Sequence, residues 1–268
     1  MIAQRPPEVH LVNLTSLILQ LKGLGVSRIS NFPLFKEVSR ERMLDSFRRL
    51  YTLQAITKDG NLTYLVGKRM AEMPTSPEFA RALLAAEHLG VEMHVAKICA
   101  MTQVQSSLSD EVKGKQMRST PFAVAEGDPL TLLNVFEGYM RAKKSDAWCK
   151  TEGLNSNALR RASKIYRSMR RYLQPRKMRV LNVADAIREA IAIGFALNVA
   201  FLQPNSLYKC IATNQYYAIP STSVLYGRYP QWITCCELLG GEKISGRTVT
   251  VVNPQWLAEN LSEVYETL

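Results

Sequence analysis

The chain has 268 residues, 47% of them hydrophobic, and its 34 Lys and Arg against 23 Asp and Glu give a formal charge of +11. The apolar fraction is that of ordinary packed domains, the length admits two or three of them, and the positive excess points to an anionic partner. No apolar run approaches the ~20 residues that cross a bilayer, MIAQRPPEVH lacks a secretory layout, and five scattered cysteines (Cys99, Cys149, Cys210, Cys235, Cys236) give no disulfide framework; a reduced, intracellular protein with no membrane partner is expected.

In chain order, a first helix is expected from Pro7, with Val9, Val12, Leu14, Ile18, Leu19, Leu21 and Leu24 on its apolar face and Gly23 and Gly25 ending it. Asn31-Phe32-Pro33 connects it to a second helix over about 40–53, which should bury Met43, Leu44, Phe47, Leu50 and Tyr51. Lys58-Asp59-Gly60-Asn61 is a turn, and Leu62–Leu65 reads as a short strand after it. Two helices, a turn and a strand suit a small winged-helix module, and Met73-Pro74-Thr75-Ser76-Pro77 marks its boundary.

Helices are expected next over about 77–88 and 91–101, then a polar, exposed loop over 102–120. Glu126-Gly127-Asp128-Pro129 should cap a helix over 130–141, and Trp148-Cys149 falls on a short turn, where Trp148 is better placed as a core anchor than as a base-stacking platform. From Asn157 to Leu173 the apolar residues Leu159, Ala162, Ile165, Tyr166, Met169, Tyr172 and Leu173 fall three and four apart, which marks one face of a helix. The opposite face carries Arg160, Arg161, Lys164, Arg167, Arg170 and Arg171, and Arg176, Lys177 and Arg179 follow. Without those nine cations the formal charge is +2, and no Asp or Glu stands between Glu152 and Asp185. Such a block repels itself, and a polyanion would relieve the repulsion; a solvated helix face is the plainer reading of the same charges.

Ala184–Ala200 is apolar on nearly every turn and reads as a buried helix. Five short β-rich runs follow, at Leu207–Ala212, Tyr216–Ile219, Ser223–Tyr226, Trp232–Leu238 and Arg247–Val252, with a short helix over Pro254–Leu261 closing the chain. Five strands in so short a span fit a small barrel of the OB type. There is no phosphate-binding G-x-x-x-x-G-K-[ST], no G-x-G-x-x-G, no C-x-x-C and no H-E-x-x-H, and His94 with Cys99 are too few for a metal site. No catalytic residue and no cofactor is assigned to this chain.

The local motifs resemble the C-terminal half of DEAH-box RNA helicases. Pro7-Glu8-Val9 with Asn13-Leu14 and Leu19–Gly25, then Leu62-Thr63, Gly67, Met70-Ala71 and Pro74, look like that family's winged helix. Gly127-Asp128 with Leu130–Val135, Trp148-Cys149, Leu154-Asn155, Leu159 and Ala162 look like its helicase-associated, ratchet-like helical module. Gly194-Phe195, Asn198, Tyr208-Lys209, Ser223-Val224-Leu225, Trp232-Ile233, Glu237-Leu238, Arg247, Val249-Thr250 and Trp256-Leu257 look like its OB-fold. The family usually has His at Pro129, a cation at Asn157, an Arg-x-Gln near Tyr166–Ser168 and His-Pro at Pro220-Ser221, and often Arg at Leu11; several of these are polar groups it uses at or near RNA.

The resemblance implies a mainly α, multidomain chain: a winged helix over 1–72, a helical bundle over 73–180, and an OB-fold with its leading helix over 181–268. The family's RecA-like core, which binds ATP and Mg and carries the Asp-Glu-Ala-His box, is not in this sequence. The chain is then either a fragment of a longer helicase or a stand-alone relic; a fragment is the favoured expectation, without ATPase activity of its own. Implied partners are single-stranded RNA, that core, and a glycine-patch protein or ribonucleoprotein complex, with action in splicing or ribosome assembly and nuclear localisation. Expected phosphate contacts are Arg160, Arg161, Lys164, Arg167 and Arg247, with Tyr208 for stacking and Lys209 for charge. The rival reading is a protein-interaction scaffold with weakened RNA binding.

Overall fold

The computed structural model describes residues 13–29, 32, 35, 38–108, 117–176, 178–241 and 243–265. They form two compact units that divide within one helix, between Arg81 and Ala82.

In the first unit, α1 (Leu14–Gly23) begins where the Asn13 side chain accepts the Ser16 amide at 3.3 Å. The expected start at Pro7 lies outside the described residues. Leu14, Ile18 and Leu19 are buried. Ser39 caps α2 (Arg40–Thr52) through the Arg42 amide. This helix buries less than its pattern promised: only Ser46, Leu50 and Thr52 are fully enclosed, and Leu44 is exposed. Its mean composition is polar, and α1 supports one side of it, with Lys22 reaching over the Phe47 ring at 5.9 Å.

The strand expected at Leu62–Leu65 does not form. One bridge joins Ile56 to Leu62, and then the chain turns. The Thr63 hydroxyl donates to the Gln54 carbonyl at 2.8 Å and accepts the Gly67 amide at 2.8 Å, so a side chain takes over the backbone groups a ladder would have used. This leads into α3 (Gly67–Glu72), where a Cβ on Gly67 would sit 2.0 Å from the Ala55 carbonyl oxygen. Arg81, at the end of this unit, is buried and donates to Gln54 at 2.8 Å; burial pulls its pKa down to about 10.

The second unit starts within α4 (Pro77–Leu89). Here α5 (Glu92–Thr102) packs against both α6 (Asp128–Arg141) and α8 (Ser156–Met169). Met101, Leu132, Phe136, Tyr139, Leu154 and Leu159 fill the core they share. The stretch expected to be an exposed loop contributes to that core, because Val104 and Leu108 are buried on either side of a short 3-10 turn at Gln105–Ser107. Trp148 and Cys149 lie on a helix rather than a turn: α7 (Asp146–Glu152) is nucleated by Ser145, which accepts the Trp148 amide at 3.3 Å. Trp148 is a core anchor, edge-on to Phe122 with ring centroids 5.9 Å apart.

The apolar run read as one helix divides. α9 (Val183–Gly194) ends at Gly194, a 3-10 turn spans Ala196–Asn198, and Ala200 begins β1 (Ala200–Leu202). Strand pairing overrides helical periodicity here, since Ala200 is held between Cys210 and Ile233. β2 (Tyr208–Cys210), β3 (Tyr216–Tyr217), β4 (Trp232–Leu239) and β5 (Ser245–Val251) complete an antiparallel sheet in the order β3-β2-β1-β4-β5. Its two edges meet at a parallel bridge between Ala218 and Ser245, where Ala218 donates to Ile244 and Gly246 to Ala218, each at 3.0 Å. The sheet thus curls into a half-barrel of the OB type, its edges joined by that single bridge. Tyr217, Cys235, Ile233 and Val249 lie in its core. Ser223–Tyr226, expected as a strand, is a pair of turns instead (Tyr226 amide to Ser223, Arg228 amide to Leu225). α10 (Gln255–Tyr265) packs on α9.

Candidate nucleic-acid interface

The Asn155 side chain starts α8 by accepting the Asn157 and Ala158 amides at 2.9 and 3.2 Å. One face is held by Ala158, Leu159, Ala162 and Met169, all buried. Tyr166 lies edge-on to Phe136 at 5.6 Å and its hydroxyl reaches the Met93 sulfur at 3.8 Å. The opposite face carries Arg160, Arg161, Lys164, Arg167, Arg170 and Arg171, all exposed. At about 1.5 Å rise per residue, Arg160 and Arg167 are some 10 Å apart along the helix. The four phosphate contacts expected on this segment therefore form one stripe.

They are not equivalent. Arg160 is ion-paired with Asp146 of α7 and donates to Asn157 at 2.8 Å. Asn157, where the resembling family has a cation, thus holds an arginine in place. Among the described residues no carboxylate pairs with Arg161, Lys164 or Arg167. Beyond the helix the chain is pinned by buried Glu87, whose carboxylate accepts the Gln174 amide at 2.7 Å, and Arg176 and Arg179 lie exposed after it.

The barrel candidates fare differently. Tyr208 is 1% exposed, and its hydroxyl donates to the Pro230 carbonyl at 2.8 Å. Burial pushes its phenol up to about 12. Its ring faces Tyr217 inside the barrel at 6.3 Å and is not available to stack on a base; the expectation of a stacking role is corrected. Lys209, half-buried on β2, lies between Phe201 and Tyr216 in the sheet. Arg247 on β5 is ion-paired with Glu237 on β4. β2 and β5 are not neighbours in the strand order, so Lys209 and Arg247 are not cross-strand partners.

One residue, expected as part of a helix cap, joins the helical core to the barrel. Asp128 is the first residue of α6, but its side chain caps nothing there. It is buried, and its carboxylate accepts the Ser223 hydroxyl at 3.0 Å, the Val224 amide at 2.9 Å and the Val249 amide at 2.8 Å. Burial raises its pKa against the pull of those three donors. Gly127 lets it in: at φ +130° and ψ −178° the backbone runs against β5, and a Cβ there would stand 2.5 Å from the Val249 carbonyl oxygen. The Val251 amide and the Thr250 hydroxyl both donate to Glu126, at 3.1 and 2.9 Å. The sequence signal was the Gly-Asp pair itself, since a buried carboxylate needs donors and nothing nearby in the chain supplied them.

Among the described residues no helix is long and apolar enough to cross a membrane, and no group of three or more His, Cys, Asp or Glu side chains could hold a metal ion. Residues 187–264 match the model of the oligonucleotide/oligosaccharide-binding (OB) fold, and residues 46–75 match the winged-helix of the helicase associated domain HA2. The chain is 32% identical over 97% of its length to the probable ATP-dependent RNA helicase DHX35 of Homo sapiens. It is 30% identical over 94% of its length to the pre-mRNA-splicing factor ATP-dependent RNA helicase prp22 of Schizosaccharomyces pombe, and 28% identical over 97% to the pre-mRNA-splicing factor ATP-dependent RNA helicase DEAH10 of Arabidopsis thaliana. It spans only 38%, 22% and 39% of those proteins, respectively. With both associated domains matched in order and identity sustained from end to end, the chain corresponds to the C-terminal winged-helix, helical and OB-fold region of DEAH-box RNA helicases.

Proposed function

We propose that this chain is the RNA-gripping C-terminal module of an ATP-dependent RNA helicase, holding a single strand by its phosphates while a RecA-like core elsewhere in the parent protein uses ATP and Mg. In this reading residues 1–72 are the winged-helix hinge, 73–180 the ratchet-like helical module and 181–268 the OB-fold. The splicing-factor names of two relatives favour action on pre-mRNA in the nucleus, with ribosome assembly as the other setting typical of the family.

The observation that carries the reading is the row Arg161, Lys164 and Arg167: exposed, on one face of α8 and without carboxylate partners among the described residues. Phosphate contacts of this kind fix a strand's position without reading its bases. They also give a defined salt signature, a slope of about −0.7 in log K against log salt for each phosphate neutralised on a single strand. Fluorescence anisotropy of a labelled single-stranded RNA, across a salt series, tests it. R161Q/K164Q/R167Q should bind more weakly, with a slope shallower by about 2. An unchanged affinity and slope would remove α8 from the interface.

A second reading rests on Tyr64 and Leu65, each 75% exposed at the turn before α3, and on Leu24 in the same unit. Exposed apolar side chains of this kind suit a protein partner, for which a glycine-patch segment or a ribonucleoprotein subunit is the proposed class. Binding of a purified glycine-patch segment that survives Y64S/L65S would dismiss that surface.

A further inference from the structure

The turn between β3 and β4 presents two tyrosines that neither the barrel core nor the basic helix uses. Tyr226 and Tyr229 are 51% and 53% exposed, while the residues before them, Ser223, Val224 and Leu225, are buried. The turn is fixed at both ends. In front, Asp128 holds Ser223 and Val224; behind, the Tyr208 hydroxyl holds Pro230. The Arg228 amide closes on Leu225 at 3.0 Å. Between these anchors the backbone enters the left-handed region twice, at Gly227 (φ +77°) and at Tyr229 (φ +48°). Glycine tolerates this and tyrosine does so at a cost, so the scaffold keeps a large ring in a strained position where its side chain is not packed inside.

Cations flank the rings. The Arg118 guanidinium lies over the Tyr226 ring, 5.6 Å from its centroid, and Arg228 is exposed between the two tyrosines. No carboxylate pairs with either arginine among the described residues. Met117, next to Arg118, packs against both the helical core and the barrel core, which places this cluster at their seam.

We propose that Tyr226 and Tyr229, with Arg118 and Arg228, form a stacking platform for unpaired bases of a single-stranded RNA. It rests on the RNA-binding reading above and adds base contacts to the phosphate contacts of α8. Aromatic rings on a rigid turn take any base by its π-face, and the two arginines neutralise the adjoining phosphates. The platform supplies affinity with little sequence preference.

The test compares a labelled oligoadenylate with an abasic sugar–phosphate strand of equal length, each titrated with the 268-residue chain. The chain should prefer the base-bearing strand by about tenfold. Y226S/Y229S should bring the two strands to equal affinity with the salt slope unchanged, and Y226F/Y229F should restore the preference. R161Q/K164Q/R167Q should flatten the slope for both strands and keep the preference. A preference that survives Y226S/Y229S overturns the platform and leaves the α8 reading in place. A proline-rich peptide that needs the two tyrosines while the RNA preference is untouched assigns the turn to a protein partner and also overturns it. Failure of the parent chain to bind either strand overturns both readings.

Discussion

Asp128 is the residue whose loss the structure prices most directly. Replacing it with Ala leaves two buried backbone donors, the Val224 and Val249 amides, without an acceptor, and frees the Ser223 hydroxyl. A buried donor left unsatisfied costs about 1–3 kcal/mol, so the two amides account for about 2–6. Ser223 rotates and adds little. Against this, the variant no longer buries a carboxylate, which offsets part of the loss; the net expectation is about 2–4 kcal/mol. Asp128→Asn should lose less, about 1–3 kcal/mol, because one arm still accepts Ser223 and Val224 while its NH2 opposes the Val249 amide. Urea denaturation followed by circular dichroism reads both values. The pH dependence is a sharper check. Because burial raises the folded pKa above the ordinary 3.8, the folded protein keeps a proton that the unfolded chain has released. Stability contributed by Asp128 is thus greatest below pH 3.8 and falls as pH rises through the folded pKa. The stability gap between the parent and Asp128→Asn should narrow over that interval. A gap that widens with pH would mean that the three donors outweigh burial, and a loss under 1 kcal/mol on Asp128→Ala would refute the anchoring argument itself.

Two further substitutions examine the same seam and the barrel. Gly127→Ala combines a φ of +130° with a Cβ 2.5 Å from the Val249 oxygen, and should destabilise the chain by about 3 kcal/mol or more, read by thermal or urea unfolding; a loss within 1 kcal/mol would show that β5 gives way freely. Tyr208→Phe removes the hydrogen bond to Pro230 and should cost about 1 kcal/mol, with affinity for the abasic strand unchanged; a several-fold loss on that strand would return Tyr208 to the interface.

The elements written in local periodicity were legible in the sequence. The 3.6-residue pattern of α8 fixed both its buried stripe and its cationic face, because both depend only on residues three and four apart. The barrel was legible as a class, from short β-rich runs between turn residues. What the sequence withheld was decided by partners far along the chain. Ala200 is a strand residue because Cys210 and Ile233 flank it, although its neighbours read as helix. Ser223–Tyr226 is a turn because Asp128, some 95 residues earlier, takes its donors. Thr63 replaced a ladder with its own hydroxyl. For the site, the positions of the α8 cations were visible but their inequality was not, since the Arg160–Asp146 pair crosses from one helix to another. Alternation along β2 turns the Tyr208 ring inward, which its place beside Lys209 does not reveal; the strand pattern over Ser223–Tyr226 conceals the turn that exposes Tyr226, and nothing local marks Tyr229.

The buried contacts also bear on how the two proposed kinds of RNA contact would work together. α8 rests on α6 through the Tyr166–Phe136 edge, and α6 begins at Asp128, which holds the turn leading to Tyr226. The cationic row and the tyrosine turn are thereby connected through packed rings and charge-assisted hydrogen bonds rather than through a free loop. Such a connection limits the spacing between phosphate and base contacts to what the core allows. A strand held at both then meets a surface whose freedom was already lost on folding, and little further ordering is needed when it binds. If the module grips a moving strand as proposed, rigid spacing serves better than a flexible loop: phosphates and π-faces recur with every nucleotide, so the same contacts can be made again after each step.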